Sequence, residues 1–80
     1  MINITNIDSE AIANINVNEE TSTVGITYVS SGKEYSYTLN GITVQEFVTS
    51  VQNVIENNQS VGRFVNKAIR EDQTLQIMAV

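Results

Sequence analysis

The chain has no cysteine and no histidine. Without thiols there is no disulfide framework and no thiolate metal site. Without imidazole, the usual general base and the commonest zinc ligand are both missing. Basic residues are scarce as well: four Lys and Arg stand against nine Asp and Glu, for a formal net charge of -5. That balance argues against a generic nucleic-acid binder, whose domain is ordinarily basic. No apolar run approaches the roughly 18 residues of a membrane span. No basic segment precedes an apolar one in the manner of a secretory signal. The expected compartment is the cytoplasm of a bacterium or of a phage-infected host cell.

What is present is the composition of a folded domain. The 80 residues are 41% hydrophobic and 16% charged, unlike a disordered tail. A single domain of this length buries only about 60% of its unfolded surface, so it must pack efficiently or self-associate. The charge is uneven. Asp8, Glu10, Glu19 and Glu20 load the first part of the chain, whereas residues 60–70 carry three of the four cations and no acid.

Periodicity sets out the elements. Ile2 and Ile4 alternate and suggest a short first strand, broken at Asp8-Ser9-Glu10. Ala13, Ile15 and Val17 repeat at period two, as do Val24, Ile26 and Tyr28, and then Tyr35, Tyr37 and Leu39. These are three half-buried strands. Pairing Val17 with Val24 sets Ile15 against Ile26 and Ala13 against Tyr28. A two-residue turn at Ser31-Gly32 sets Tyr28 against Tyr35, Ile26 against Tyr37 and Val24 against Leu39. In that register every large side chain lies on one face, and a slip by one residue would expose them all.

After the turn at Asn40-Gly41, Thr43-Val44-Gln45-Glu46 has the form of a capping box, in which Thr43 and Glu46 satisfy each other's ends of a helix start. Val44, Phe47, Val48, Val51, Val54 and Ile55 then follow one helical stripe, and Asn57-Asn58 supplies a stop. Ser60 caps a second helix, with Val61, Phe64, Val65, Ala68 and Ile69 on one side. Leu75 and Ile77 predict a last strand. The expected fold is α+β: a small antiparallel meander of three core strands with two helices packed on one face. The terminal strands either extend the sheet or pair with a second subunit.

The second helix carries the candidate chemistry. Arg63, Lys67 and Arg70 stand at i, i+4 and i+7, opposite its apolar side. Such a stripe can hold phosphate or another anion, or it can be plain solvated surface. Free N–H groups near Ser60-Val61-Gly62 offer a second place for an anion, although Gly62 is read first as a close-packing residue. Tyr28, Tyr35 and Tyr37 could form a platform for stacking bases, but the register assigns them to the core, with hydroxyls at the rim near Arg63 and Asn66. Catalytic constellations are missing. Glu19-Glu20 and Glu71-Asp72 are adjacent pairs in turns, Asn16, Asn18 and Glu20 lack the rest of a calcium loop, and Gly25, Gly32, Gly41 and Gly62 are scattered. No enzyme activity, cofactor or metal is expected.

Tyr35-Ser36-Tyr37, followed after a helix by Ser60, Gly62, Arg63, Phe64, Asn66, Ile69 and Arg70, resembles the KTSC domain over residues 9–70. That short module is found alone in bacteria and phages and at the C-terminus of some lysyl-tRNA synthetases. The chain differs from the usual pattern in lacking a proline after the third strand, in its acidity and in residues 71–80. The resemblance implies a non-catalytic binding module and, through the synthetase attachment, contact with RNA. The expected binding residues are Arg63, Asn66, Lys67, Arg70, Tyr35 and Tyr37. The alternative is a protein–protein interaction module, an adaptor or inhibitor, using a sheet edge or the acidic surface. Self-association into a homodimer is the third expectation.

Overall fold

Val17 faces Val24 and Ile15 faces Ile26 at the centre of the sheet, and all four are fully buried. Around this pairing the computed structural model, which describes residues 2–5, 7 and 9–77, builds a five-stranded antiparallel sheet in the order β1-β2-β3-β4-β5. The strands are β1 (Ile2–Ile4), β2 (Ile12–Asn18), β3 (Thr23–Tyr28), β4 (Glu34–Leu39) and β5 (Leu75–Ile77), with α1 (Val44–Glu56) and α2 (Val61–Arg70) between the last two. The expected α+β architecture is present. Both terminal strands extend the sheet, β1 along β2 and β5 along β4. Asp8, counted above in the break after the first strand, lies outside the described residues.

Two details of the register depart from the sequence reading. The β3–β4 pairing is offset by two residues, with Val24 opposite Tyr37 and Ile26 opposite Tyr35. The chain reverses over four residues, 29–32, where the Tyr28 N–H donates to the Lys33 carbonyl and the Gly32 N–H to the Tyr28 carbonyl. Gly32, at φ +67°, closes that longer loop. A two-residue shift leaves every side chain on its own face, so the apolar alternation fixes the register only to the nearest even number. The loop decides the rest.

The second departure is a bulge in β2 between Ile12 and Asn14. Ile12, rather than Ala13, lies opposite Tyr28 and is 1% exposed, while Ala13 is turned outward. The exchange places three more carbons in the core, a gain of about 2 kcal/mol at ~0.8 kcal/mol per buried methylene. Upstream, the Ser9 hydroxyl accepts from the Ala11 and Ile12 N–H groups and shapes the entry to the strand.

The helices begin and end as their residues require. Thr43 and Glu46 form the reciprocal capping box of α1. At its other end Asn58 takes φ 55°, the Asn58 N–H reaches the Ile55 carbonyl and the Gln59 N–H reaches the Val54 carbonyl. This pair of bonds is a Schellman stop with Asn in the place usually held by Gly. Ser60 accepts from the Arg63 N–H and starts α2. Phe47, Val51 and Val54 of α1 and Val61, Val65 and Ala68 of α2 join the inward residues of the sheet in one core. Phe47 and Phe64 meet there with ring centroids 6.0 Å apart.

The opposite face of the sheet is polar. Gly25 leaves a gap at its centre, and the Glu34 carboxylate lies in it, so close that a Cβ at residue 25 would fall 2.8 Å from the Glu34 Cδ. From there Glu34 accepts from the Asn16 amide, and Asn16 in turn accepts from Asn14.

Candidate functional site

The helical period of 3.6 residues sets Arg63, Lys67 and Arg70 within about 60° of one another around α2. All three are exposed, so the basic stripe stands on the outer side of the helix, away from the buried Val61, Val65 and Ala68. Asn66 flanks the stripe on one side and Phe64 on the other. The last turn of α2 contains Lys67 and Arg70, where the carbonyl end of the helix favours positive charge.

On the Asn66 flank, α2 and the adjoining strands leave a cleft of about 400 Å3. Its strand side is Ala11, Ile12 and Tyr28, and its helix side includes Gly62, Val65 and Ile69, with Arg63 and Asn66 carrying the polar groups. Gly62 is what allows the two sides to approach. A Cβ there would lie 3.3 Å from that of Ala11, so the close packing expected of Gly62 is made against the segment entering β2. On the Phe64 flank a second cleft, about 390 Å3, is lined by Val54, Phe64, Arg63 and Lys67. Arg63 borders both clefts and Lys67 only the second. Arg70 borders neither, at the far end of the helix. A depression sharing Ala11 and Ser60 with the first cleft carries Glu10, which leaves positive charge on the Arg63 side.

The tyrosines separate into three environments. Tyr37 is 6% exposed and belongs to the core. Its hydroxyl lies 3.0 Å from that of Tyr28, so it meets the first cleft through Tyr28 and does not present a binding surface of its own. Tyr35 lies on the same inward side of the sheet yet is 41% exposed. It touches Tyr28 edge-on, with ring centroids 5.6 Å apart and planes at 67°. Core placement therefore holds for Tyr37 but not for Tyr35.

Tyr28 links the two and was the residue absent from the expected set. Burial, and then its bond to Tyr37, push the Tyr28 phenol well above its ordinary range, which keeps it protonated. The sequence reading sets Tyr28 on the inward face with its hydroxyl at the rim near Arg63 and Asn66, but does not count it among the binding residues. Its exposure to a cleft follows from the β2 bulge and the approach of α2 at Gly62, neither of which the sequence periodicity carries.

Thus Arg63 and Asn66 come together at the first cleft, Tyr35 and Tyr37 reach it only through Tyr28, Lys67 borders the second cleft and Arg70 stands apart. Among the described residues no cluster of three or more Asp and Glu is placed to hold a metal ion, and no helix is long and apolar enough to cross a membrane. No family model, curated protein or solved structure matches the chain.

Proposed function

We propose that the chain is a non-catalytic binding module that contacts RNA through the exposed basic face of α2, as its resemblance to the KTSC domain implies. The observation that carries this reading is the concentration of Arg63, Lys67 and Arg70 on one exposed helix face of an acidic protein. An acidic surface elsewhere repels a polyanion, so contact is confined to that face. Tyr35 offers an exposed ring of the kind on which unstacked bases rest.

Fluorescence anisotropy with labelled single-stranded RNA and tRNA tests the proposal. Binding is expected at low salt, weakening steeply towards physiological salt as counterions are released, and is lost in the Arg63→Ala/Arg70→Ala double variant. RNA binding by the double variant equal to that of the unaltered protein would refute it.

A second reading, a protein partner, has its own support at the β5 edge. This strand ends the sheet order, and its Ile77 is 67% exposed, a combination suited to receiving a strand from another chain. It predicts capture of one protein from nuclease-treated lysate, abolished by Ile77→Lys. Light scattering at increasing concentration separates this from self-association.

A further inference from the structure

Resting on the RNA reading, we infer that the cleft beside α2 takes one unstacked nucleobase of the bound strand, with Asn66 reading its hydrogen-bonding edge and Arg63 holding the neighbouring phosphate. The cleft, about 400 Å3, lies in the range of small-molecule sites, which are typically about 300–1,000 Å3 and largely apolar with few fixed polar groups. Ile12 and Val65, both almost fully buried, form the apolar floor of the cleft, and the partly buried Ile69 offers apolar surface to one side of a flat ring. Gly62 and Ala11 keep side-chain bulk out of the space between them.

The polar groups match such a ligand. The Asn66 side chain is a planar amide that offers an acceptor and a donor side by side, the arrangement that pairs with a base edge carrying one donor and one acceptor. Tyr28 lines the same cleft. Two hydroxyls, those of Tyr28 and Tyr37, share one hydrogen bond, which uses one proton. When Tyr37 donates, the Tyr28 proton is free for the ligand; when Tyr28 donates, its remaining lone pair is. The hydroxyl therefore serves either kind of base atom. Arg63 borders the same cleft and is exposed, so the phosphate attached to a base in the cleft has a cation within reach.

The test is a titration of the full chain with the four nucleoside 5′-monophosphates, using ribose 5-phosphate as the control of equal charge without a base. Backbone amide shifts in NMR spectra are the readout. The nucleotides are expected to shift the Ala11, Ile12, Gly62 and Asn66 signals at concentrations at least tenfold lower than ribose 5-phosphate does. Asn66 is exposed on the helix surface, so its variants keep the fold. Asn66→Asp replaces a donor and an acceptor by two acceptors, which suits only the paired N–H donors of guanine. The variant is expected to lose the cytosine and adenine nucleotides and to retain or improve the guanine one, a change of rank order that a structural role for Asn66 would not produce.

Equal shifts from ribose 5-phosphate, or an unchanged rank order in Asn66→Asp, would overturn the inference. The two readings fail separately. Salt-sensitive RNA binding that disappears with Arg63 and Arg70, without base-dependent mononucleotide binding, leaves the RNA module and removes the base cleft. Base-dependent mononucleotide binding without any RNA binding supports the cleft and removes the RNA module.

Discussion

Replacing Tyr28 by Phe removes one oxygen and leaves its partner stranded. The Tyr37 hydroxyl bonds that of Tyr28 at 3.0 Å in a side chain that is 6% exposed. Without the bond, a buried polar group loses its partner, a cost of about 1–3 kcal/mol. The reverse change, Tyr37→Phe, unpairs the hydroxyl of Tyr28, a residue that is only partly buried and lines a cleft, so the cost is smaller, about 0.5–1 kcal/mol. The double variant has no hydroxyl to strand and is expected to be more stable than Tyr28→Phe alone. The coupling between the two positions is about 1 kcal/mol, as befits groups in direct contact. In a domain of this size 1 kcal/mol moves Tm by about 4–8 °C, so Tyr28→Phe lowers Tm by roughly 10 °C. Urea denaturation of the wild type, both single variants and the double variant completes the cycle. Strictly additive effects, or a Tyr28→Phe variant as stable as the wild type, would refute the reasoning.

Three further outcomes are expected. Phe47, fully buried against Phe64, gives up about 3–5 kcal/mol on replacement by Ala, most of the stability of a chain this short, so calorimetry should find the variant largely unfolded near 37 °C. Gly25→Ala displaces the Glu34 carboxylate, whose Cδ would otherwise lie 2.8 Å from the new Cβ. This is the end of a flexible, exposed side chain, so the loss is about 0.5 kcal/mol or less, and it vanishes when Gly25→Ala is made in a Glu34→Ala background. The raised Tyr28 phenol means that the folded state holds this proton more tightly than the unfolded state does. Stability is therefore intact below the ordinary tyrosine value of about 10 and falls as pH rises beyond it. Denaturation midpoints between pH 9 and pH 11, compared with those of Tyr28→Phe, should show a shallower alkaline decline in the variant.

The parts of the fold that were legible are those where local chemistry and apolar pattern agree. Thr43 with Glu46, Asn57-Asn58 and Ser60 mark the helix ends through hydrogen bonds within a few residues, and each does so in the structure. The β2–β3 register was legible at Val17 and Ile15, whose partners Val24 and Ile26 are their apolar equals. What escaped was non-local or indifferent to parity. A shift of two in the β3–β4 hairpin moves no side chain across the sheet. The bulge at Ala13 depends on how much more of Ile12 the core can take. Glu34 reaching across Gly25 to Asn16 joins residues far apart in the chain, so Gly25 read as an isolated glycine.

For the candidate site, the basic stripe was legible because helical spacing alone places Arg63, Lys67 and Arg70 together. The cleft was not, since it forms where α2 passes the entrance of β2, with Gly62 near Ala11. Tyr35 and Tyr37 belong to one strand face but differ in burial because their position along the strand, not the alternation, determines what covers them.

The central claim is that the cations of α2 meet phosphates, and the salt dependence of RNA affinity tests it most directly. Each phosphate neutralised on a single strand contributes about 0.7 to the slope of log K against log salt. Contacts from Arg63, Lys67 and Arg70 therefore predict a slope of about -2, reduced to about -1.4 in the single Arg70→Ala variant, which keeps two of the three contacts. An affinity for RNA that does not respond to salt, or the same slope in the variant, would contradict the account.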